Sequence, residues 1–284
     1  METLITINRK ETKQKMMTQN KLKELEYLTF APFDKIEGIR HLFSTRLGGV
    51  SEGIFGQLNL SYTRGDRKEC VDENFERVCA ILATKKENLV LSDQTHTTNI
   101  RVVTEKDAGK GITRERDYSD IDGLITNQKN LVLATFYADC VPLYFVDPVK
   151  KVIGLSHSGW KGTVAGIGRV TVEKMVAEFG CSLEDIQVAI GPSICKDCYE
   201  ISEDVADSFK EAFQGAQQLL TDHQNGKFQL DLWEANRRLL EDAGIKKEHI
   251  YVTDICTCCN PSYLFSHRAS QGKRGNLGAF LMLV

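Results

Sequence analysis

Two short segments carry side chains able to do chemistry together: Ala138-Asp139-Cys140-Val141-Pro142 and, one apolar hairpin later, His157-Ser158-Gly159-Trp160-Lys161-Gly162. A thiol and an imidazole each lie beside an apolar run that reads as a buried strand, so both can be delivered to one place. A third candidate is His96, in the polar link from Ser92 to Asn99. Two imidazoles and one thiolate form a ligand set that suits zinc, with a fourth position left for water or substrate. The three residues are distant in sequence and lack the close C-x-x-C or H-x-x-x-H pairing of a strong zinc motif, so spacing leaves other readings open. In one, His157 lowers the thiol pKa and Cys140 attacks an acyl carbon. In another, the set holds copper as in a blue-copper centre, although no axial methionine is marked locally. In a third the residues only pack.

Upstream, Arg46-Leu47-Gly48-Gly49 opens a tight loop. Paired glycines after an arginine offer free N–H groups and one fixed positive charge, suited to phosphate or carboxylate, but an ordinary glycine turn has the same sequence. Cys195-Lys-Asp-Cys198 and Cys256-Thr-Cys258-Cys259 invite a structural four-cysteine zinc with one thiol in surplus. Strand-end cysteines near an active site would look the same. His41, His223 and His249 lie in polar or strand-edge contexts that suit surface or packing roles, while His267, beside Arg268, could reach a cleft without a local partner.

These residues need elements to position them. The runs 131–137 and 141–146 are β-branched, aromatic and uncharged, and 152–155 is a third strand with His157 at its C-terminal end. Gly159 and Gly162 then turn the chain into a helix marked by Val172, Met175, Val176 and Phe179. Val71, Phe75, Val78, Cys79 and Leu82 predict an amphipathic helix. A further helix follows Ser202, burying Val205, Phe209 and Phe213, and another is opened by a capping box at Asp231 and stopped by Gly244. Short apolar runs at 88–91, 100–103, 123–126, 186–190, 250–253 and 279–284 read as strands. Strands without intervening helices argue for a mixed α/β sheet system.

The 284 residues contain no linker, repeat or block of like charge after residue 30, so one α/β domain over 26–284 is expected behind a polar tail at 1–25. No segment resembles an export signal or approaches the ~18 apolar residues of a membrane span. A cytoplasmic protein is the default. A net charge of −3 supplies no basic face for nucleic acid or an anionic membrane. Nine cysteines in such a chain read as reduced, either buried or bound to metal.

The segments STRLGGVSEG (44–53), QTH (94–96), DGLIT (122–126), ADCVP (138–142), HSGWKG (157–162), IGPSI (190–194), CYE (198–200), LDLWEANR (230–237), FSHR (265–268) and KRG (273–275) occur in this order. Together they resemble the laccase-domain family, whose members were first described as polyphenol oxidases and later as purine nucleoside phosphorylases. The resemblance implies a four-layer α-β-β-α sandwich similar to the catalytic domain of cytotoxic necrotizing factor. It implies that His96, Cys140 and His157 hold a metal, zinc or copper, and that Arg46 corresponds to the family's N-terminal arginine. Lys161 stands where the family usually has arginine, and Tyr137 where it often has threonine.

The implied chemistry is phosphorolysis of adenosine, inosine, guanosine and methylthioadenosine, together with deamination of adenosine by a zinc-activated water. The partners are then purine nucleosides and inorganic phosphate. Arg46, Gly48, Gly49 and Lys161 are the candidates to hold phosphate. Asp122 and Glu200 could bind ribose or shuttle a proton, or could be buried carboxylates that fix loops.

Overall fold

The protein is described by a computed structural model, which defines residues 4, 6 and 15–284. Its strands are β1 (Met17–Leu22), β2 (Leu25–Phe30), β3 (Ile39–Ser44), β4 (Leu89–Leu91), β5 (Ile100–Val102), β6 (Gly123–Thr126), β7 (Val132–Tyr137), β8 (Val141–Asp147), β9 (Val152–Ser158), β10 (Gln187–Ile190), β11 (Glu200–Ser202), β12 (Leu220–Asp222), β13 (Lys227–Leu230), β14 (Ile250–Val252) and β15 (Leu277–Leu283). Its helices are α1 (Lys68–Leu82), α2 (Trp160–Val164), α3 (Ile167–Phe179), α4 (Glu203–Ala212) and α5 (Leu232–Asp242). Two mixed six-stranded sheets run β1-β2-β3-β15-β7-β4 and β14-β10-β8-β9-β6-β5, and a small third sheet runs β11-β13-β12.

Alternation along the central strands builds the layers. In β8, Val141, Leu143 and Phe145 join the core under α3 and α5, whereas Tyr144 and Val146 face the core between the two sheets. In β15, Leu277, Ala279 and Leu281 enter the inter-sheet core while Phe280 and Met282 pack with Val71, Phe75 and Val78 of α1. Both faces of each sheet are therefore apolar, which explains the continuous hydrophobic runs. The result is helix, sheet, sheet, helix. Among the described residues no helix is long and apolar enough to cross a membrane.

The expected helices and strand runs all form, with small shifts at their ends. Asp231 caps α5 by accepting a hydrogen bond from the Glu234 amide at 3.0 Å. Val176 of α3, expected inside, is 37% exposed at the edge of the buried stripe. The polar tail expected over 1–25 is corrected: most of residues 1–14 lie outside the described residues, but from Met17 the chain is strand. β1 reads as polar because it is an edge strand, whose outward side chains are wet and whose order comes from pairing with β2.

Candidate metal centre and its cleft

β7 ends in the first sheet and β8 begins in the second, so Ala138-Asp139-Cys140 is the crossing between them. Asp139 makes the crossing with φ at +86°, a left-handed conformation in which Asp is better tolerated than most residues. Its carboxylate is buried, accepting the Thr257 hydroxyl at 2.7 Å and the Arg268 amide at 2.7 Å. Those contacts hold the residue next to Cys140.

The β8–β9 hairpin does the rest. Pro142 pairs with His157 and Val141 with Ser158, so Cys140 and His157 lie diagonally on one face at the mouth of the inter-sheet gap. His96 arrives from the β4–β5 loop, with φ at +69°. Its ring meets that of His157 edge-on, centroids 4.8 Å apart, and the ligand atoms of His96, Cys140 and His157 all lie within 4.8 Å of one another. Tyr137 packs behind, 5.5 Å from the His157 ring.

One carboxylate organises this arrangement. Asp122, fully buried at the start of β6, accepts His157 Nδ1 at 2.8 Å and the His96 amide at 3.0 Å on Oδ1. On Oδ2 it accepts the Thr95 amide, the Thr97 amide and the Thr97 hydroxyl at 3.0, 2.8 and 3.0 Å. With Nδ1 engaged, His157 keeps Nε2 as its ligand atom, the usual carboxylate–histidine arrangement behind a metal. Burial works to raise the Asp122 carboxyl, but His157 and the Thr97 and Thr95 amides outweigh it and bring it down to about 2. Burial likewise opposes charge on Cys140 and His157. Their mutual attraction and hydrogen bonds prevail, drawing the Cys140 thiol down to about 6 and, with Asp122, the His157 imidazole up to about 9. A thiolate with two imidazole nitrogens beside it is a donor set that fits zinc or copper.

The three residues open on a cleft of about 410 Å³, also lined by Tyr62, Arg64, Arg116, Arg274 and Asn276. Arg116 is paired with Asp93 at 2.7 Å. Arg64 is exposed and pairs with no carboxylate among the described residues. Arg274 is buried, with its Nε lacking any hydrogen-bond partner. Burial, then the like charge of Arg64, pushes the Arg274 guanidinium down to about 10. Neither guanidinium forms a salt bridge with a carboxylate among the described residues; the negative groups that act on Arg274 are Asp139 and Cys140, and a positive edge of this kind suits an anion.

The residues expected as an anion clamp lie elsewhere. Arg46 is spent on structure: Nε donates to Gly56 O at 2.9 Å, Nη1 to Pro261 O at 2.7 Å, and the guanidinium stacks 4.6 Å from the Phe265 ring. The Gly48 amide donates to Gln57 Oε1 at 2.7 Å. A Cβ on Gly48 or Gly49 would fall 2.4 Å from Glu24 O or 2.2 Å from Gln57 O, so close backbone approach demands these glycines. Lys161 is exposed, its ammonium 5.6 Å over the Trp160 ring. Glu200 is exposed on β11 and offers its backbone oxygen to Arg268. None of Arg46, Gly48, Gly49, Lys161 and Glu200 lines the cleft, and Asp122 is enclosed beneath it with both oxygens engaged. Sequence reasoning missed Arg64, Arg274 and Asp139. Arg274 and Asp139 lie within the KRG and ADCVP segments.

Residues 40–284 match the family model described as multi-copper polyphenol oxidoreductase laccase. The chain belongs to this laccase-domain family. A relative named purine nucleoside phosphorylase YlmD, from Bacillus subtilis, is 40% identical over 243 residues, covering 84% of this chain and 86% of the relative. Among solved structures, YfiH of Bacillus licheniformis matches with a TM-score of 0.87 at 36% identity, covering 91% of this chain and 96% of that one. YlmD of Geobacillus stearothermophilus matches with a TM-score of 0.87 at 34% identity, covering 95% and 99%. The laccase-domain fold thus extends across nearly the whole chain.

Proposed function

We propose that the protein is a purine nucleoside phosphorylase that converts adenosine, inosine, guanosine or methylthioadenosine, with inorganic phosphate, to free base and ribose 1-phosphate. The same cleft hydrolytically deaminates adenosine, and both activities serve small molecules in the cytosol. The observation that carries the reading is the convergence in one cleft of the His96–Cys140–His157 set with Arg64 and Arg274, neither of which forms a salt bridge with a carboxylate among the described residues. The name of the Bacillus subtilis relative supports it.

In phosphorolysis a phosphate oxygen forms a bond to C1′ while the C1′–N bond breaks, its electron pair leaving with the base, through a transition state of oxocarbenium character as in glycoside cleavage. Arg64 and Arg274 hold the phosphate, the buried fork of Arg274 supplying the fixed geometry. His96, Cys140 and His157 would hold a zinc ion, which when bound supplies Lewis acidity and lowers the pKa of a coordinated water to about 7, as deamination at C6 requires. Asp122 keeps the His157 proton on Nδ1, and Asp139 keeps the Cys140 backbone in place.

The family model's description favours a second reading, a copper-dependent polyphenol oxidase. Of the remaining histidines, His41 is buried against Phe30 and Phe33 and bonded to the Phe30 amide, while His223, His249 and His267 do not join the cleft set. That leaves too few imidazoles around it for a three-copper cluster. The direct test incubates metal-replete protein with adenosine and inosine, with and without phosphate, and follows ribose 1-phosphate, free base and inosine. No turnover of any purine nucleoside overturns the proposal, and copper-dependent oxidation of a phenol in its place establishes the second reading.

A further inference from the structure

Outside the cleft, β10 and β14 are parallel neighbours, pairing Ile190 with Val252. Each is followed by a turn with two cysteines in C-x-x-C spacing, Cys195 and Cys198 after β10, Cys256 and Cys259 after β14. Because the strands end together, the turns meet. Ser193 bridges Cys256, and the Thr257 amide donates to Ser193 O at 3.1 Å. The four sulfurs converge within 4.8 Å of one another. Cys195 and Cys256 are buried; Cys198 and Cys259 are half-buried at the outer side.

We propose that these four cysteines form a second metal site, a closed tetrathiolate that takes a zinc ion in a structural role. Zinc–sulfur bonds of ~2.3 Å in a tetrahedron put the sulfurs about 3.8 Å apart. Cys198 and Cys259 Sγ are 3.5 Å apart, close to that spacing and far beyond the ~2.05 Å of a disulfide. Two backbone amides, of Cys195 at 3.2 Å and of Cys259 at 3.4 Å, point at Cys256 Sγ. Amide donors aimed at one sulfur favour a thiolate, whereas four protonated thiols in contact are only weak donors and acceptors. Cys258 is the surplus thiol of its cluster and stands outside the group.

The site braces the metal centre in the cleft without sharing a ligand with it. Thr257, between Cys256 and Cys259, donates to Asp139 Oδ1, and Ile194, next to Cys195, donates its amide to Asp139 O at 3.0 Å. Both turns thereby grip the residue that presents Cys140. The zinc holds the two turns together, and they hold the crossing between the sheets.

The test counts metal in the full chain purified with zinc and desalted under reducing conditions. Wild type carries two zinc ions per chain. The His96→Ala/His157→Ala variant, with every cysteine intact, retains one, and its cobalt-exchanged form shows the intense visible bands of a tetrahedral tetrathiolate. Cys198→Ser/Cys259→Ser loses one ion of the two. If that variant fails to fold, the histidine variant alone decides. A histidine variant that holds no zinc and gives no tetrathiolate cobalt spectrum overturns the proposal, as does a Cys198–Cys259 disulfide in the native protein.

Discussion

Replacing Asp122 by asparagine isolates the support behind the metal centre, because the side-chain shape is kept while one acceptor becomes a donor. The amide group is best tolerated in place of Oδ1, since Oδ2 accepts three hydrogen bonds and Oδ1 two. There it donates to His157 Nδ1, moves the imidazole proton to Nε2 and removes the lone pair that would bind metal. Losing such a partner costs ~10–100-fold in metal affinity, or about 1.4–2.8 kcal/mol. The His96 amide, no longer accepted, adds a stability cost of about 1–3 kcal/mol. A carboxyl held at about 2 against an ordinary 3.8 stabilises the fold by about 2 kcal/mol near neutrality. That contribution is present above the ordinary carboxyl pKa and is lost as pH falls through about 2, so it is intact at assay pH. Competition with a chromophoric chelator gives the zinc affinity of the cleft, and urea unfolding of metal-free protein gives the stability. Asp120→Asn, altering an exposed neighbour that accepts the Thr95 hydroxyl, is the control. A folded Asp122→Asn protein that binds zinc in the cleft within twofold of wild type refutes the reasoning.

Other outcomes follow from single contacts. Arg274→Lys keeps the charge but loses the guanidinium fork, and raises the KM for phosphate ~10-fold or more, on the scale of a lost charge-assisted hydrogen bond; an unchanged phosphate KM removes Arg274 from the anion site. Gly159→Ala has a backbone angle that alanine accepts, φ −71°, yet its Cβ would lie 2.7 Å from His96 Cδ2 and 3.3 Å from Cys140 Sγ. It should weaken zinc binding in the cleft while unfolding stability changes by about 0.5 kcal/mol or less, since His96 is exposed and can move; wild-type affinity counts against the packing of the site. Burial pushes His41 from 6.5 down to about 4. The unfolded chain then binds a proton that the folded chain refuses, so stability falls between pH 6.5 and 4, by about 3 kcal/mol in total. Urea unfolding of His41→Asn against wild type over that range should show a flatter pH dependence in the variant; parallel curves contradict it.

Local order was legible in the sequence wherever burial imposed a period. The uncharged runs 131–137 and 141–146 had to be covered on both faces, and the spacing of Val71, Phe75 and Val78 had to make one helix face. β1 and the small sheet of β11, β12 and β13 were not legible, since short half-wet strands carry no strong period and are ordered by their partners. The soft donors were also evident as residue types: a cysteine and a histidine at strand ends, a third imidazole in a polar link, two C-x-x-C pairs.

Tertiary structure decided which of these side chains meet and which charges face them. The glycine loop after Arg46 had the composition of an anion clamp, but its amide and guanidinium groups are consumed by Gln57, Gly56 and Pro261, while Arg274 from the far end of the chain lines the cleft with its Nε lacking a hydrogen-bond partner and no carboxylate in salt-bridge contact. Asp122 could have faced substrate, yet the loop from Thr95 to Thr97 closes over it. The two C-x-x-C turns become one cluster only because β10 and β14 end side by side. A sequence determines the chemistry each side chain can offer and the period that buries it; what remains unpaired, and beside what, depends on contacts between separate strands and loops, which only the packed sheets fix.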